Sequence, residues 1–362
     1  MAKNLKVAIV HDWLVGGGAE LVVEQLHKMY PNAPIYTSYA TDEWRERLDN
    51  KVVTGHLQKL GGLRKYISVL RILWFTHLKL DDFDLVLSSS GAEAKGIKTK
   101  ARHINYCHAP THYYWSRYDE YLANPGFGPF NFLARLGLRL LIRPLKRWDK
   151  KAAGRPDVMI ANSTHIQKEI QKYYGRDSVV VHPPVNVERF KNSNKERSGF
   201  VVVGRQTPYK RMDLAVAACS ELGLTLNVVG RGPDNVHLRT MAGPTINFDV
   251  EANDKKVVEY LSHAEAFIFP GLDDFGISAV EALAAGTPVI AYKAGGALDF
   301  VEPGKTGEFF ESQTSDSLVK VLKKIDASKY KHSEIAKYAT RFSAQNFRGK
   351  MFQLINEKAE DG

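Results

Sequence analysis

The chain has 362 residues, enough for two α/β domains that each bury a core of their own. Hydrophobic residues make up 44% and charged residues 25%, as in globular proteins, and no run of about 18 uncharged apolar residues predicts a membrane-spanning segment. The two cysteines, Cys107 and Cys219, exclude a disulfide framework and a cysteine metal site, while the formal charge of +10 calls for an anionic partner that charge alone does not identify.

The first half of the chain alternates predicted strands and helices. The apolar run Val7 to His11 predicts a strand, a glycine turn at 16–18 follows, and Ala19 to Met29 has helical spacing. Residues 1–6 lead directly into that strand and lack the pattern of a signal peptide, so a cytoplasmic location is expected. Four more strands are predicted in this half: Ile35 to Thr37, Leu85 to Ser88, His103 to Cys107, and Val158 to Ala161.

The polar stretch 191–198 interrupts the pattern and is the predicted domain boundary. Alternation then restarts with seven predicted strands and helices: Gly199 to Val203, Asp213 to Leu222, Thr225 to Val229, Asp254 to His263, Ala266 to Phe269, Ser278 to Ala285, and Val289 to Tyr292. A last helix near 344–358 has no strand after it. Both halves therefore predict doubly wound parallel sheets with helices on both faces.

Two carboxylates flank a strand-to-helix turn in the second half. Asp273 follows a predicted strand, and Glu281 lies eight residues later on the next predicted helix. A helix N-terminus attracts anions, yet acids repel a bare phosphate, so a phosphorylated sugar suits both features. The alternative is that Asp273 or Asp274 only caps the helix and that Glu281 is solvated.

A basic loop, Gly204 to Arg211, follows the first strand of the second sheet, where α/β proteins bind ligands. Arg205 can bind a phosphate with two nitrogens, and Lys210 can add a point charge. The alternative is that both side chains are merely solvated.

An aromatic segment, Tyr106 to Trp115, follows a strand of the first half and contains His108. This histidine is either a hydrogen-bonded structural residue or a group that faces a binding cleft. The glycine turn at 16–18 lacks the spacing of a dinucleotide site. A close approach of its backbone to a ligand is still expected.

Together these motifs resemble retaining glycosyltransferases of the GT-B fold, family 4. Asp273 and Glu281 resemble the two glutamates of the family's donor signature, with aspartate in place of the first glutamate. Arg205 with Lys210 five residues later resembles its pyrophosphate-binding pair, and the segment around His108 is similar to that of mannosyltransferases that use GDP-mannose. The resemblance covers almost the whole chain and is weakest at 50–79 and 124–155.

The resemblance implies two Rossmann-like domains that face a cleft. Residues 1–190 would bind the acceptor, residues 199–341 would bind the nucleotide sugar, and the segment 342–362 would cross back to the first domain. In this reading Asp273 holds sugar hydroxyls, Glu281 holds the ribose, and His108 lies near the reaction centre. The implied catalytic residues are His108, Arg205, Lys210, and Asp273. The implied donor-binding residues are Gly17, Gly18, Gly204, Arg205, Lys210, Phe248, Asp273, Phe275, Gly276, Ile277, and Glu281. The implied acceptor or cleft residues are His11, Asp12, Glu20, His112, and Tyr113.

The expected function is transfer of a hexose, mannose from GDP-mannose, to a lipid-linked or glycan acceptor with retention, in cell-envelope or polysaccharide assembly. No metal or other cofactor is expected, in agreement with the absence of a DxD signature in a suitable loop. The alternative is a non-catalytic sugar-nucleotide-binding scaffold, suggested by the aspartate at 273. A nucleic-acid partner is not expected, because zinc spacing, a reading helix and a ribonucleoprotein motif are missing.

Two basic amphipathic segments, 60–80 and 131–151, suggest a further partner. Arginines recur every four residues from Arg135 to Arg147, with leucines between them. Such helices often lie on anionic bilayers, so docking on the inner face of the cell membrane is the hypothesis. The alternative is that their apolar sides close the domain core.

Overall fold

The computed structural model describes residues 5–60, 68–123, 125, 128, 131–190 and 196–357. The chain divides into two compact units, Met1–His182 with Arg348–Gly362, and Pro183–Phe347. Each unit is built on one parallel sheet. None of the helices within the described ranges is long and apolar enough to cross a membrane.

The first unit contains a seven-stranded sheet with the order β3-β2-β1-β4-β5-β6-β7. Its strands are β1 (Val7–His11), β2 (Ile35–Thr37), β3 (Val52–Thr54), β4 (Leu85–Ser90), β5 (Arg102–Cys107), β6 (Val158–Ala161), and β7 (Val179–Val180). Its helices are α1 (Gly18–Met29), α2 (Asp42–Arg47), α3 (Ser68–Thr76), α4 (Tyr118–Ala123), α5 (Asn131–Ala153), and α6 (Thr164–Tyr174). The strand order reverses between β1 and β4, which is where doubly wound sheets open a crevice for ligands.

The second unit contains a six-stranded sheet with the order β10-β9-β8-β11-β12-β13. Its strands are β8 (Phe200–Val203), β9 (Leu226–Val229), β10 (Ile246–Asp249), β11 (Ala266–Phe269), β12 (Val289–Tyr292), and β13 (Gly307–Phe310). Its helices are α7 (Met212–Leu222), α8 (Asn235–Thr240), α9 (Asp254–His263), α10 (Ile277–Ala284), α11 (Ser315–Leu322), and α12 (His332–Ala339). Here the order reverses between β8 and β11, the strands that precede the two predicted donor motifs.

The strands and helices expected from the sequence are confirmed, with closely matching bounds. Four strands were not predicted, β3, β7, β10 and β13. Each of them is an edge strand with partly exposed residues. A strand that is paired on one side and partly solvated does not need the continuous apolar run of a central parallel strand.

The chain enters the second unit at Pro183, earlier than the boundary expected at 191–198. Val185 donates its backbone N–H to the carbonyl of Phe342 at 2.9 Å, and both Val185 and Phe190 are buried in the core of the second unit. The expected first domain, 1–190, therefore ends too late, because its last apolar residues pack elsewhere. Residues 191–195 of the expected boundary lie outside the described residues.

The last helix, α13 (Ala344–Glu357), returns the chain to the first unit from Arg348 onward. Arg102, at the start of β5, donates to the carbonyls of Leu354 and Ile355 near the end of this helix. The side chain of Arg348 donates to Gln25 on α1. These contacts attach the last helix to both a strand and a helix of the first unit.

Candidate active site

The two predicted donor loops meet at the point where the strand order of the second sheet reverses. A Cβ on Gly271, after β11, would lie 3.0 Å from the carbonyl oxygen of Lys210, after β8, so the loops pack backbone to backbone. The ammonium of Lys210 forms an ion pair with Oδ2 of Asp273. The fold therefore brings together one residue from each predicted motif, although they are far apart in the sequence.

The carboxylate of Asp273 has one oxygen without a partner. Asp273 is 8% exposed, and its Oδ1 is buried with no hydrogen-bond partner among the described residues. Buried polar atoms in native proteins are nearly always hydrogen-bonded. The position of this oxygen therefore favours a ligand or water that donates a hydrogen bond to it.

The helix α10 begins beside this carboxylate. Its N-cap, Gly276, has φ 107°, and the helix carries no side-chain cap. The N–H groups of Gly276, Ile277 and Ser278 have no acceptor within the described part of the chain. Unpaired N–H groups and the positive end of the helix dipole form a site for an anion such as phosphate.

Alanine at Gly276 is expected to lower the free energy of unfolding by about 2–4 kcal/mol, because backbone strain and a steric clash add. Its Cβ would lie 2.6 Å from the ring of Phe269. Gly223, with φ 64° and nothing within 4 Å of an added Cβ, is the matched control. Gly223→Ala should cost about 1 kcal/mol from strain alone. Denaturant unfolding measures both, and equal losses would contradict the packing of Gly276 against Phe269.

The loop after β8 is held by Gln206, whose importance the sequence did not indicate. Gln206 is fully buried, donates to the carbonyl of Gly230 at 2.6 Å, and accepts from Asn235 at 2.7 Å. Arg205, the residue before it, is exposed, and its guanidinium has no partner among the described residues. The loop is therefore fixed by a buried amide, while the adjacent arginine can bind an anion.

Glu281 lies on α10 and faces Arg189, a residue that the sequence analysis missed. Arg189 Nη1 lies 3.4 Å from Glu281 Oε1, and Arg189 Nη2 donates to the carbonyl of Asp254 at 3.1 Å. Burial raises the pKa of Glu281, and Arg189 lowers it in opposition. Oε2 of Glu281 has no partner in the described ranges, so one carboxylate oxygen is held and the other can accept from a ligand.

The aromatic rings of two expected donor-binding residues are covered by other side chains of the second unit. The ring of Phe275 is buried in the core of the second unit, 5.6 Å from the rings of Phe300 and Phe342, so only its backbone can meet a ligand. Phe248 lies on the edge strand β10, and the guanidinium of Arg239 covers its ring at 4.6 Å. Gly204 follows β8 and donates its N–H to the carbonyl of Val229 at 3.0 Å, which joins the ends of β8 and β9.

In the first unit, two histidines meet over Ser89 at the corresponding reversal of strand order. Nδ1 of His11 lies 2.8 Å from the carbonyl of Ser89, which can only accept, so this nitrogen carries the proton. Nε2 of His108 lies 2.7 Å from the hydroxyl of Ser89. The two rings are edge to face, with centroids 6.2 Å apart. His11, expected at the acceptor or cleft, and His108, expected near the reaction centre, are therefore brought together by β1, β4 and β5.

The carboxylates of Asp12 and Glu20 hold loops in place. Asp12 accepts the backbone N–H groups of Gly91, Ala92 and Ala94 at 2.7–2.9 Å and so joins the loops after β1 and β4. Burial raises the pKa of Asp12, and the charge of Glu93 raises it further. Glu20 accepts the N–H groups of Val15 and Gly16, which fixes the glycine turn at 16–18. Gly17 is the N-cap of α1, and Gly18 is its first residue.

The hydroxyl of Tyr113 is committed to a buried ion pair. It donates to Glu93 at 2.7 Å, and Glu93 is bound by Nε and Nη2 of Arg71 at 3.0 and 2.9 Å. Burial and the charge of Glu93 raise the pKa of Tyr113 well above its usual value. His112, the residue before it, contacts the hydroxyl of Ser116 through Nδ1 at 2.7 Å. Tyr113 therefore has a structural contact that the acceptor assignment did not anticipate.

A second buried ion pair supports the loop that carries His108. Lys95 and Asp149 are fully buried and 2.7 Å apart. Burial lowers the pKa of Lys95, but the charge of Asp149, the hydrogen bond to it, and the nearby Cys107 and Asp12 together outweigh burial and raise the pKa. Asp149 also accepts hydrogen bonds from three side chains, those of Thr111, Trp115, and Tyr174.

Across the described ranges, no three histidine, cysteine or carboxylate residues are grouped so that they could hold a metal ion. Positively charged side chains near the donor motifs include those of Arg205, Lys210 and Arg189.

Two family models match the chain. The model of Glycosyltransferase Family 4 matches residues 16–189, and the model of glycosyl transferases group 1 matches residues 184–342. The two matches overlap at 184–189 and together span residues 16–342, which include the whole second sheet and all of the first sheet except β1. The chain therefore belongs to the glycosyltransferases that combine these two domains, and its two parallel sheets are those of the GT-B fold.

Individual relatives are more distant. A D-inositol 3-phosphate glycosyltransferase of Streptomyces bingchenggensis is 27% identical, over 54% of this chain and 51% of its own. A GDP-mannose-dependent alpha-mannosyltransferase of Mycolicibacterium smegmatis is 28% identical, over 49% of this chain and 50% of its own. The matches thus span about half the length of these curated relatives. HepE of Anabaena, solved in complex with UDP, has a similar fold, with a TM-score of 0.72 over 98% of this chain and 100% of its own, at 17% identity.

Proposed function

We propose that the protein transfers a hexose, mannose from GDP-mannose, to an acceptor hydroxyl with retention of anomeric configuration. One observation carries this proposal, the meeting of Lys210 and Asp273 beside the uncapped start of α10. A cation and unpaired N–H groups suit a diphosphate, and the unpartnered Oδ1 of Asp273 suits a sugar hydroxyl. A nucleotide sugar contains both, because its diphosphate is linked to the anomeric carbon of a hexose that carries free hydroxyls.

The proposed reaction builds negative charge on the β-phosphate as the nucleoside diphosphate leaves. Fixed positive groups at that phosphate stabilise the transition state more than the ground state, and so raise the rate. Arg205, Lys210 and the N–H groups of Gly276 and Ile277 supply them in this proposal. No metal ion is then required for the leaving group.

Asp273 and Glu281 would hold the two sugars of the donor. Asp273 accepts from the hexose hydroxyls through Oδ1, while Oδ2 keeps Lys210 in place. Glu281 accepts from the ribose through Oε2. The acids therefore bind hydroxyl groups, and the helix start between them binds phosphate.

The donor is the first part of this proposal to test. The name of the Mycolicibacterium relative favours GDP-mannose, whereas HepE was solved with UDP. Thermal-shift screening with GDP-mannose, UDP-glucose, UDP-GlcNAc and UDP-galactose distinguishes them. GDP-mannose is expected to raise the melting temperature most, since binding to the native state stabilises it by mass action. The absence of stabilisation by every nucleotide sugar would contradict the proposal.

The acceptor is proposed to bind the first unit near His11 and His108 and to be lipid-linked or a glycan, in cell-envelope or polysaccharide assembly. The face of α5 supports a lipid-linked acceptor. This helix buries side chains only near its end, at Asp149, Ala152 and Ala153. Its earlier turns expose five large apolar side chains, those of Phe132, Leu133, Leu136, Leu140, and Leu141.

Exposed arginines flank these apolar side chains, so we propose that the face of α5 docks on the anionic inner surface of the cell membrane. Arg135 is partly committed elsewhere, because it donates to the carbonyls of Leu122 and Ala123. The other proposed segment, 60–80, contributes less. Its Arg71 is buried against Glu93, and residues 61–67 lie outside the described ranges.

Changing both Arg139 and Arg143 to glutamate is expected to weaken binding to phosphatidylglycerol vesicles by about 10-fold or more, because each basic residue near an anionic surface contributes about 1 kcal/mol. Serine at both Leu136 and Leu140 should weaken it similarly through lost apolar burial. Co-sedimentation measures both, with Val236→Ser, an exposed valine of the second unit, as the control. Unchanged binding of both double variants, or equal binding to neutral vesicles, would contradict this surface.

A further inference from the structure

We propose that Arg189 is a positioning residue that holds Glu281 for the ribose of the donor. This inference rests on the proposed function, since it concerns the nucleoside end of the same site. Arg189 lies in the short turn Val187–Phe190, within the segment that the sequence analysis assigned to the other domain. Arg189 is therefore not among the predicted site residues.

The guanidinium of Arg189 lies between two elements of the second unit. Nη1 is 3.4 Å from Oε1 of Glu281 on α10 and 3.9 Å from Oδ2 of Asp254 at the start of α9. Nη2 donates to the backbone carbonyl of Asp254, and the ring of Phe190 lies 5.2 Å below the guanidinium carbon. Three of these contacts, two with Asp254 and one with Phe190, hold the guanidinium in place. The fourth, with Oε1, orients Glu281.

The contact with Arg189 gives the two oxygens of the Glu281 carboxylate different roles. Oε1 faces Arg189, and Oε2 has no partner in the described part of the chain. A ribose presents two neighbouring hydroxyls that donate hydrogen bonds, and an ionised carboxylate only accepts. A carboxylate held at one oxygen is therefore suited to a diol, whereas a protonated carboxyl would lose part of its accepting capacity.

The charges around Glu281 oppose one another. Burial raises the pKa of Glu281, Arg189 lowers it, and Asp254 raises it. On the neighbouring α12, His332 contacts the carbonyl of Gly286 through Nδ1 at 2.8 Å, and the strands on either side of α10 carry no charged residues. Removing Arg189 leaves burial and Asp254 unopposed, so Glu281 then takes up a proton at a higher pH. Removing the charge of Asp254 has the opposite effect.

The test uses Arg189→Gln and two pairs of probes, GDP with 2′,3′-dideoxy-GDP and UDP with 2′,3′-dideoxy-UDP. For the nucleotide that wild type binds, the variant is expected to lose about 10- to 100-fold in affinity, the range for hydrogen bonds that involve charged groups. Its affinity for the dideoxy analogue should stay within about twofold of wild type. The matched control is Arg341→Gln, an exposed arginine that also stacks on a phenylalanine, Phe342, at 5.3 Å.

Two further measurements separate positioning from a merely structural role. As the pH is lowered from neutrality, the nucleotide affinity of Arg189→Gln should fall at a higher pH than that of wild type, and that of Asp254→Asn at a lower pH. In addition, the double variant with Glu281→Gln should bind no more weakly than Glu281→Gln alone, since coupled residues are not additive.

Equal losses for the nucleotide and its dideoxy analogue, an unshifted pH profile, or additive losses in the double variant would overturn the role of Arg189 and leave the proposed function intact. If wild type binds neither GDP nor UDP, the proposed function fails, and the inference fails with it. The two failures are therefore distinguishable by the behaviour of the wild-type protein.

Discussion

Replacing Lys210 by alanine is expected to lower the turnover of the nucleotide sugar by about 10- to 1000-fold, as when a single group that stabilises developing negative charge is removed. The ammonium of Lys210 lies at the meeting point of the two donor loops, paired with Asp273. Its loss removes the positive charge beside the proposed leaving group. It also removes the ion-pair partner of the Asp273 carboxylate, which holds the hexose in this proposal. Steady-state release of the nucleoside diphosphate measures the effect.

The control for this change is Lys293→Ala. Lys293 is paired with Glu311 at 2.7 Å, and both side chains are well exposed, so an exposed lysine is lost without any effect on the site. Its turnover should equal that of wild type. Near wild-type turnover of Lys210→Ala would contradict the assigned role of Lys210. Asp273→Glu adds one methylene beside it, so a change in donor choice or rate in that variant would show that the shorter aspartate matters.

Replacing Asp149 by alanine is expected to lower the free energy of unfolding by about 3–5 kcal/mol, because it leaves Lys95 as a buried charge without its counterion. The pair is fully buried, and three further side chains donate to the same carboxylate. Lys95 precedes β5, and Thr111 lies beyond His108, so the change also loosens the loops around that histidine. Denaturant unfolding followed by tryptophan fluorescence measures the loss.

Asp119→Ala is the control for Asp149→Ala. Asp119 is an exposed aspartate in the first turn of α4, in the same unit, and its replacement should cost within about 1 kcal/mol. Replacing both Lys95 and Asp149 by methionine and leucine should cost less than Asp149→Ala, since no buried charge is left unpaired. An equal loss for Asp119→Ala and Asp149→Ala would contradict the buried pair.

The sheets could be predicted because central parallel strands are buried on both faces and give continuous apolar runs such as β1 and β11. The edge strands β3, β7, β10 and β13 lack that signal. The domain boundary was predicted late because the polar stretch 191–198 is the visible break in composition. In the structure the second unit begins before this stretch, because Val185 and Phe190 pack in its core.

Part of the site followed from topology. The loops after β8 and β11 end neighbouring strands, so the meeting of the two motifs could be expected once the strand order was assumed. The pairing of Lys210 with Asp273 could not, because it depends on how the two loops pack at Gly271. Arg189 was missed for the same reason, since its partner Glu281 is 92 residues away in the sequence.

The first unit shows a different limit. His11 ends β1 and His108 follows β5, and the two come together as their positions suggested. Asp12 and Tyr113 were expected to face a ligand, but their oxygens bind backbone N–H groups and Glu93. The spacing of residues along the chain indicates which strand end a side chain is near. It does not indicate which other residue of the chain forms a hydrogen bond with that side chain.

The most direct test of the proposed transferase is the release of GDP from GDP-mannose by the wild-type protein, followed in parallel with Lys210→Ala and in the presence of EDTA. Slow release without an acceptor, faster release with a lipid extract, no effect of EDTA and a loss of about 10-fold or more in Lys210→Ala are expected. Binding of GDP-mannose without any release, with or without the extract, would contradict transfer and support a sugar-nucleotide-binding scaffold instead.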